Sequence, residues 1–338
     1  MQHAVQQGPS RRTMLRAGAA AGTAAALGAA GIVAAGKASA ATTAGGGAEG
    51  LPYPSGVTDT SHCTPEVAAI FAGLFTAKSK HDAPALMSYF SSANSVYIDA
   101  SLGVALPSWQ AINSEFSTFA SLPADAISYP LRIVGDARSA AIEFVDSPAF
   151  FFGQELRSLS SVTFNSDRKI IRWVDYWDGR SSLHQNTIPS SYPSDFRDSE
   201  QNASPAVVQA AQALQAAFAA GDAAAAVALM SVDVIHEDMA AHTRVRGRFQ
   251  AQRYYTRALG LVPYGPGTAL VHAGGSRQGG GYEWSAAPDA APMRRGHTAI
   301  ELDDAGKISR LTVIYDSSLL NYAAYQSLVG AAAEAPLS

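Results

Sequence analysis

The sequence predicts an α+β protein in which one unit, helices first and strands last, occurs twice in tandem. Two observations lead there. Landmark residues recur at a spacing near 139 along the 338-residue chain, and each repeat passes from helical apolar spacing to strict apolar–polar alternation.

Each repeat opens on a capped helix. Pro65 and Pro205 lie 140 residues apart at first helical positions, behind the hydroxyl N-caps Thr64 and Ser204. A second short amphipathic helix follows a break at Asp82 or Asp222, again 140 apart. Next come the short strands of "SVYIDASLG" (Ser95–Gly103) and "VIHEDMAAH" (Val234–His242), with Asp99 and Asp238 separated by 139. A third helix ("SWQAINSEFSTFA"; "GRFQAQRYYTRAL") precedes three alternating strands. The last two form a hairpin around "NSDRK" or "DDAGK", and Ile170 and Ile308 beyond it are 138 apart. The units are therefore 64–183 and 204–325. A Pro/Ser-rich linker, 184–203, joins them, a flexible lead-in, 41–63, precedes them, and a tail, 326–338, follows.

The first 40 residues stand apart from the fold. "SRRTMLR" has the twin-arginine pattern of an export signal, an Ala/Gly-rich apolar stretch follows, and "ASA" (Ala38–Ala40) is a cleavage site that leaves Ala41 first. Export machinery is thus one expected partner, and the expected location is extracytoplasmic. This segment holds four basic residues and no acid. Of the chain's 24 basic residues 20 then remain against 28 acidic, a net of −8, which argues against nucleic acid and, after cleavage, against membrane as partners. The lone Cys63 excludes an intramolecular disulfide.

Helices first, then a strand bearing an acid, a helix, and a curved sheet closing on "KII" or "KIS" plus aromatics resembles the nuclear transport factor 2-like superfold. That group includes ketosteroid isomerases, SnoaL-type cyclases and limonene epoxide hydrolase. The resemblance implies two cone-shaped α+β barrels, each with an apolar pocket at one end. It also implies that Asp99 and Asp238 hold the position of the ketosteroid isomerase base. Alternation places Tyr97 with Asp99, His236 with Asp238, and Trp173, Asp175 and Trp177 on shared faces; the family pattern makes these the pocket faces. Leu311, Val313 and Tyr315 are the second unit's equivalents of the last three. The isomerase's oxyanion tyrosine and second aspartic acid fall near Leu74 and Ser160, and near Leu214 and Thr298, so its full catalytic set is not reproduced.

The expected site therefore pairs Asp99 and Asp175 as proton-sharing carboxylates in the first unit, and Asp238 with His236 in the second. Tyr97, Trp173, Trp177, Ser160 and Tyr315 would contact substrate. Competing readings exist: Asp99 as a cap on the helix that follows "SLGVALPS", His236 as a structural histidine, the tryptophans as core. "HEDMAAH" sets its histidines six apart on a strand and turn, the wrong spacing for a zinc helix, so no metal is expected. "GGSRQGGGYEW" opens no helix and reads as a hairpin loop. The functional expectation is cofactor-free acid–base chemistry (isomerase, cyclase, epoxide hydrolase or lyase type) on a small apolar molecule. The alternative is a non-catalytic ligand-binding or assembly protein, its sheets packed within the chain or in a homodimer.

Overall fold

A computed structural model describes residues 51–150, 153–180, 192–198 and 202–333. The expected export signal over 1–40 and the expected cleavage site lie outside the described residues.

The first unit runs β1 (Asp59–Cys63), α1 (Pro65–Ser79), α2 (Ala83–Met87), β2 (Val96–Asp99), β3 (Val104–Leu106), α3 (Trp109–Phe116), β4 (Ser128–Gly135), β5 (Ser139–Asp146), β6 (Leu156–Phe164) and β7 (Ile170–Trp177). The second runs α4 (Pro205–Ala219), α5 (Ala223–Ala228), β8 (Met230–Asp238), β9 (Thr243–Arg246), α6 (Arg248–Ala258), β10 (Ala269–Ser276), β11 (Gly279–Ser285), β12 (Arg295–Leu302) and β13 (Ile308–Ile314), followed by α7 (Tyr322–Ala332). The caps are local and repeat. Thr64 and Ser204 accept from Val67 N and Val207 N, and Asp82 and Asp222 from Ala85 N and Ala225 N.

Both sheets are mixed, so the α+β class holds. Their strand orders are β1-β4-β5-β6-β7-β2-β3 and β10-β11-β12-β13-β8-β9. In each, the early strand bearing the aspartate returns to pair in parallel with the last: Tyr97 lies opposite Trp173 and Asp99 opposite Asp175, as His236 lies opposite Leu311 and Asp238 opposite Val313. One sheet face covers the unit's own helices and core; the other meets the neighbouring sheet.

Three boundary expectations change. The lead-in is not wholly a flexible arm, because Tyr53 is buried and β1 adds to the edge of β4. The linker's Phe196 is buried, and Asp198 bridges Arg172 of β7 and Arg295 of β12; Pro/Ser-rich composition does not reveal which apolar residue fills a cleft between sheets. The tail begins inside α7, which Asn321 caps and Leu328 anchors in the second core.

The layer between the sheets is ionic. Arg132 meets Glu301 at 2.7 Å, Arg157 meets Glu237 at 2.7 Å, and Arg172 meets Glu283 at 2.5 Å, each pair crossing between units. Tyr176 Oη donates to Glu283 at 2.6 Å. Burial acts to raise the Glu283 carboxyl, but flanking Arg172 and Arg295 hold it well below the usual carboxylate range. The turns after β7 and β13 exchange bonds: Ser317 N donates to Asp178 and Gly179 N to Asp316. Glycine permits the close approach, since a Cβ on Gly281 would stand 2.3 Å from His297 Nε2 and 3.0 Å from Ala141 Cβ.

Candidate functional site

The interior of the first unit encloses a cavity of about 40 Å³. At about 10–15 Å³ per water, that is room for roughly three. Phe75, Phe90, Phe116, Phe119, Phe144 and Trp173 form most of its wall, and its polar lining is Tyr97, Lys78, Asp146 and Asp175.

Lys78 occupies the last turn of α1, where a cation suits the helix dipole. Its side chain nevertheless turns inward: Nζ lies 2.6 Å from Asp146 Oδ1 and 4.6 and 4.8 Å from the ring centres of Phe144 and Phe150. Asp146 ends β5, two residues beyond Phe144, so pleat alternation puts both inside. The pair is largely dry, with side chains 13% and 3% exposed. Sequence reasoning missed both residues, which stand 68 apart and read separately as a helix-end lysine and a strand-end acid.

Asp175 is on the expected face and lines this cavity. Tyr97 Oη donates to its Oδ2, Ser160 Oγ to its Oδ1, and Trp173 Nε1 to its Oδ1 at 2.7 Å. The structure thus gathers Tyr97, Ser160, Trp173 and Asp175 into one network.

Asp99 and Trp177 belong elsewhere, which corrects the expected Asp99–Asp175 pair. Asp99 shares Asp175's sheet face but is not in the cavity lining. Its Oδ1 accepts from Leu102 N at 2.8 Å and from Trp177 Nε1 at 3.0 Å, fastening the turn that follows β2. The physical reason is local: an aspartate before a tight turn finds the turn's own amide first.

The second unit repeats that arrangement. Asp238 Oδ1 accepts from Ala241 N at 2.8 Å, and Oδ2 from Tyr264 and Tyr315 hydroxyls at 3.2 Å each. Burial pushes Asp238 up to about 7 against those bonds. His236 does stand on the same face, with Nδ1 3.1 Å from Tyr255 Oη, and Nε2 has no hydrogen-bond partner; burial lowers it to about 3. It is a neutral imidazole among tyrosines, and nothing places its ring against Asp238. Glu237 points the other way, into the inter-sheet layer, bonded to Arg157 and Arg310. Among the described residues no cluster of three His, Cys, Asp or Glu is arranged to hold a metal ion.

No protein-family model and no curated protein matches the chain. Solved structures similar to it include an NTF2-like protein of unknown function from Burkholderia xenovorans (24% identity, 33% of this chain and 84% of that one, TM-score 0.28). A steroid delta-isomerase from Pseudomonas aeruginosa aligns at 16% identity over 39% of this chain and 92% of its own, with a TM-score of 0.31. A SnoaL-like protein of unknown function from Burkholderia thailandensis aligns at 13% identity over 32% and 94%, with a TM-score of 0.29. Each spans about a third of this chain, and no residue role is carried over from them.

Proposed function

We propose that the first unit is a cofactor-free acid–base catalyst for a small, largely apolar molecule carrying one carbonyl or comparable oxygen. One observation carries the reading: an ammonium, Lys78, and a carboxylate, Asp175, line the same aromatic cavity. In such a site Asp175 removes a proton and Lys78 stabilises the oxygen on which charge develops, in surroundings dry enough to strengthen both effects. Tyr97, already bonded to Asp175, relays the proton. Entry requires the aromatic wall to open, because the enclosed space is about 40 Å³. The reading also has the chain exported, on the strength of Arg11 and Arg12 and the Ala38–Ala40 site.

The test is deuterium exchange at the carbon next to the carbonyl of small cyclic ketones, followed by NMR. The wild type should accelerate exchange, and Asp175→Asn should slow it by ~100-fold or more. Equal rates for the two proteins would refute it. A second reading, a ligand-binding domain without chemistry, draws on the fact that Asp175 and the Lys78–Asp146 pair are already hydrogen-bonded within the protein. It predicts that a ketone binds, shown by shifts of cavity aromatic resonances, and never exchanges.

A further inference from the structure

The second unit carries a charged corner remote from the first unit's cavity. No acidic residue occurs between Asp238 and Glu283, while Arg244, Arg246, Arg248, Arg253 and Arg257 crowd β9 and α6. Arg244, Arg246 and Arg248 are exposed, and among the described residues neither Arg246 nor Arg248 enters an ion pair. At the same corner stand Val232 and Phe249, 72% and 69% exposed. Gly247, at φ 84°, turns the chain from β9 into α6 and donates to Val234 O at 2.7 Å, which holds the start of α6 against β8, the strand bearing Val232. The guanidinium carbon of Arg253 lies 5.8 Å from the Phe249 ring centre. Among the described residues the acids nearby are Asp233, exposed and accepting from Ser231, and Glu237, already engaged by Arg157 and Arg310.

We propose that this corner docks on an anionic lipid surface, Phe249 and Val232 entering the headgroup layer while Arg246 and Arg248 pair with lipid phosphates. Guanidinium groups bind phosphate of any origin, but exposed apolar tips beside them gain only where there is an apolar layer to enter. That combination favours a membrane surface over nucleic acid. The chain's net negative charge, the basis for expecting no membrane partner, averages over this patch. A surface of that sign repels the rest of the molecule, so binding is oriented through this corner.

The experiment is co-sedimentation of the full chain with mixed phosphatidylglycerol–phosphatidylcholine vesicles and with pure phosphatidylcholine vesicles, at low and high salt. Binding should favour the anionic vesicles by ~10-fold or more and weaken as salt is raised. Arg246→Glu with Arg248→Glu should abolish the preference, Phe249→Ser should weaken binding several-fold, and Arg246→Lys with Arg248→Lys should retain most of it. All these side chains are exposed, and an unchanged thermal melt verifies that each variant is folded. Equal binding to neutral vesicles overturns the proposal. So does unaltered binding of the charge-reversed variant, which would place the contact elsewhere in the chain, the basic first 40 residues included, and so does binding to duplex DNA without binding to vesicles.

Discussion

At matching positions of the two sheets and first helices, the first unit sets Lys78, Asp146 and Asp175 where the second has Phe218, Ala286 and Val313. Asp99 and Asp238 stand in both. The invariant acid is therefore the one each unit uses to fasten its own turn, through the amide three residues on and the aromatic at the end of the last strand, Trp177 or Tyr315. The acids and the cation that differ are those that give the first unit a polar cavity. A shared position in a duplicated fold marks what the fold needs, and chemistry is to be sought where the copies diverge.

The comparison treats the units as parts of one body, and the largest effect tests that premise. Glu283→Ala leaves Arg172 and Arg295 without their buried partner and should cost about 3–5 kcal/mol in a single cooperative melt. Two separate transitions, with only one shifted, would mean that the halves fold independently.

Next in size is a pH effect confined to the second unit. Asp238 is pushed up to about 7 from 3.8, so the folded state retains a proton that the unfolded state releases, and stability falls as pH rises from about 4 to about 7. Asp238→Asn removes this dependence. By chemical denaturation the variant should equal the wild type near pH 4 and exceed it by up to ~4 kcal/mol at pH 8. His236, lowered to about 3 from 6.5, acts in the opposite sense, losing stability as pH falls below 6.5, and it does so equally in both proteins. A constant difference across pH would show that Asp238 ionises freely.

The divergent pair gives a third measurement. Lys78→Phe alone strands a buried Asp146 carboxylate and should cost about 3 kcal/mol, whereas Lys78→Phe with Asp146→Ala, the second unit's own combination, should recover to within ~1 kcal/mol of wild type. Failure of the double variant to recover would mean that the two interiors are not interchangeable. The smallest effect belongs to Asp99. Asp99→Asn keeps an acceptor for Leu102 N and should change stability by under ~0.5 kcal/mol and exchange activity not at all, while Asp99→Ala should cost about 1 kcal/mol. A large loss of activity in Asp99→Asn would return Asp99 to the catalytic site.

What alternation can carry is legible in the amino-acid sequence: the shared face of Trp173, Asp175 and Trp177, the inward Tyr97 and Ser160, and the repeated helix starts at Pro65 and Pro205. Period-two patterning reports a face, and capping reports a neighbour a few residues away. Neither reports how far along the face a side chain lies, which is why alternation groups Asp99 with Asp175 although the two make separate bonds. The signal for Asp99 is nonetheless local, an aspartate opening "DASLG" as Asp238 opens "DMAAH". Lys78 and Asp146 meet only because α1 packs on the sheet against β4, the neighbour of β5, a tertiary arrangement that no pattern along the chain encodes.

The layer between the sheets bears on what it means for the two units to share one chain. Three of its cross-unit pairs set arginine of the first half against glutamate of the second, Arg132 with Glu301, Arg157 with Glu237 and Arg172 with Glu283. The opposite sign is present on each side as well, Glu143 beside Arg157 in the first half and Arg310 beside Glu237 in the second. The layer is thus a mixed lattice of charges to which both halves contribute each sign. The partner that completes it is held at high local concentration by the linker, where two separate chains would have to meet by diffusion.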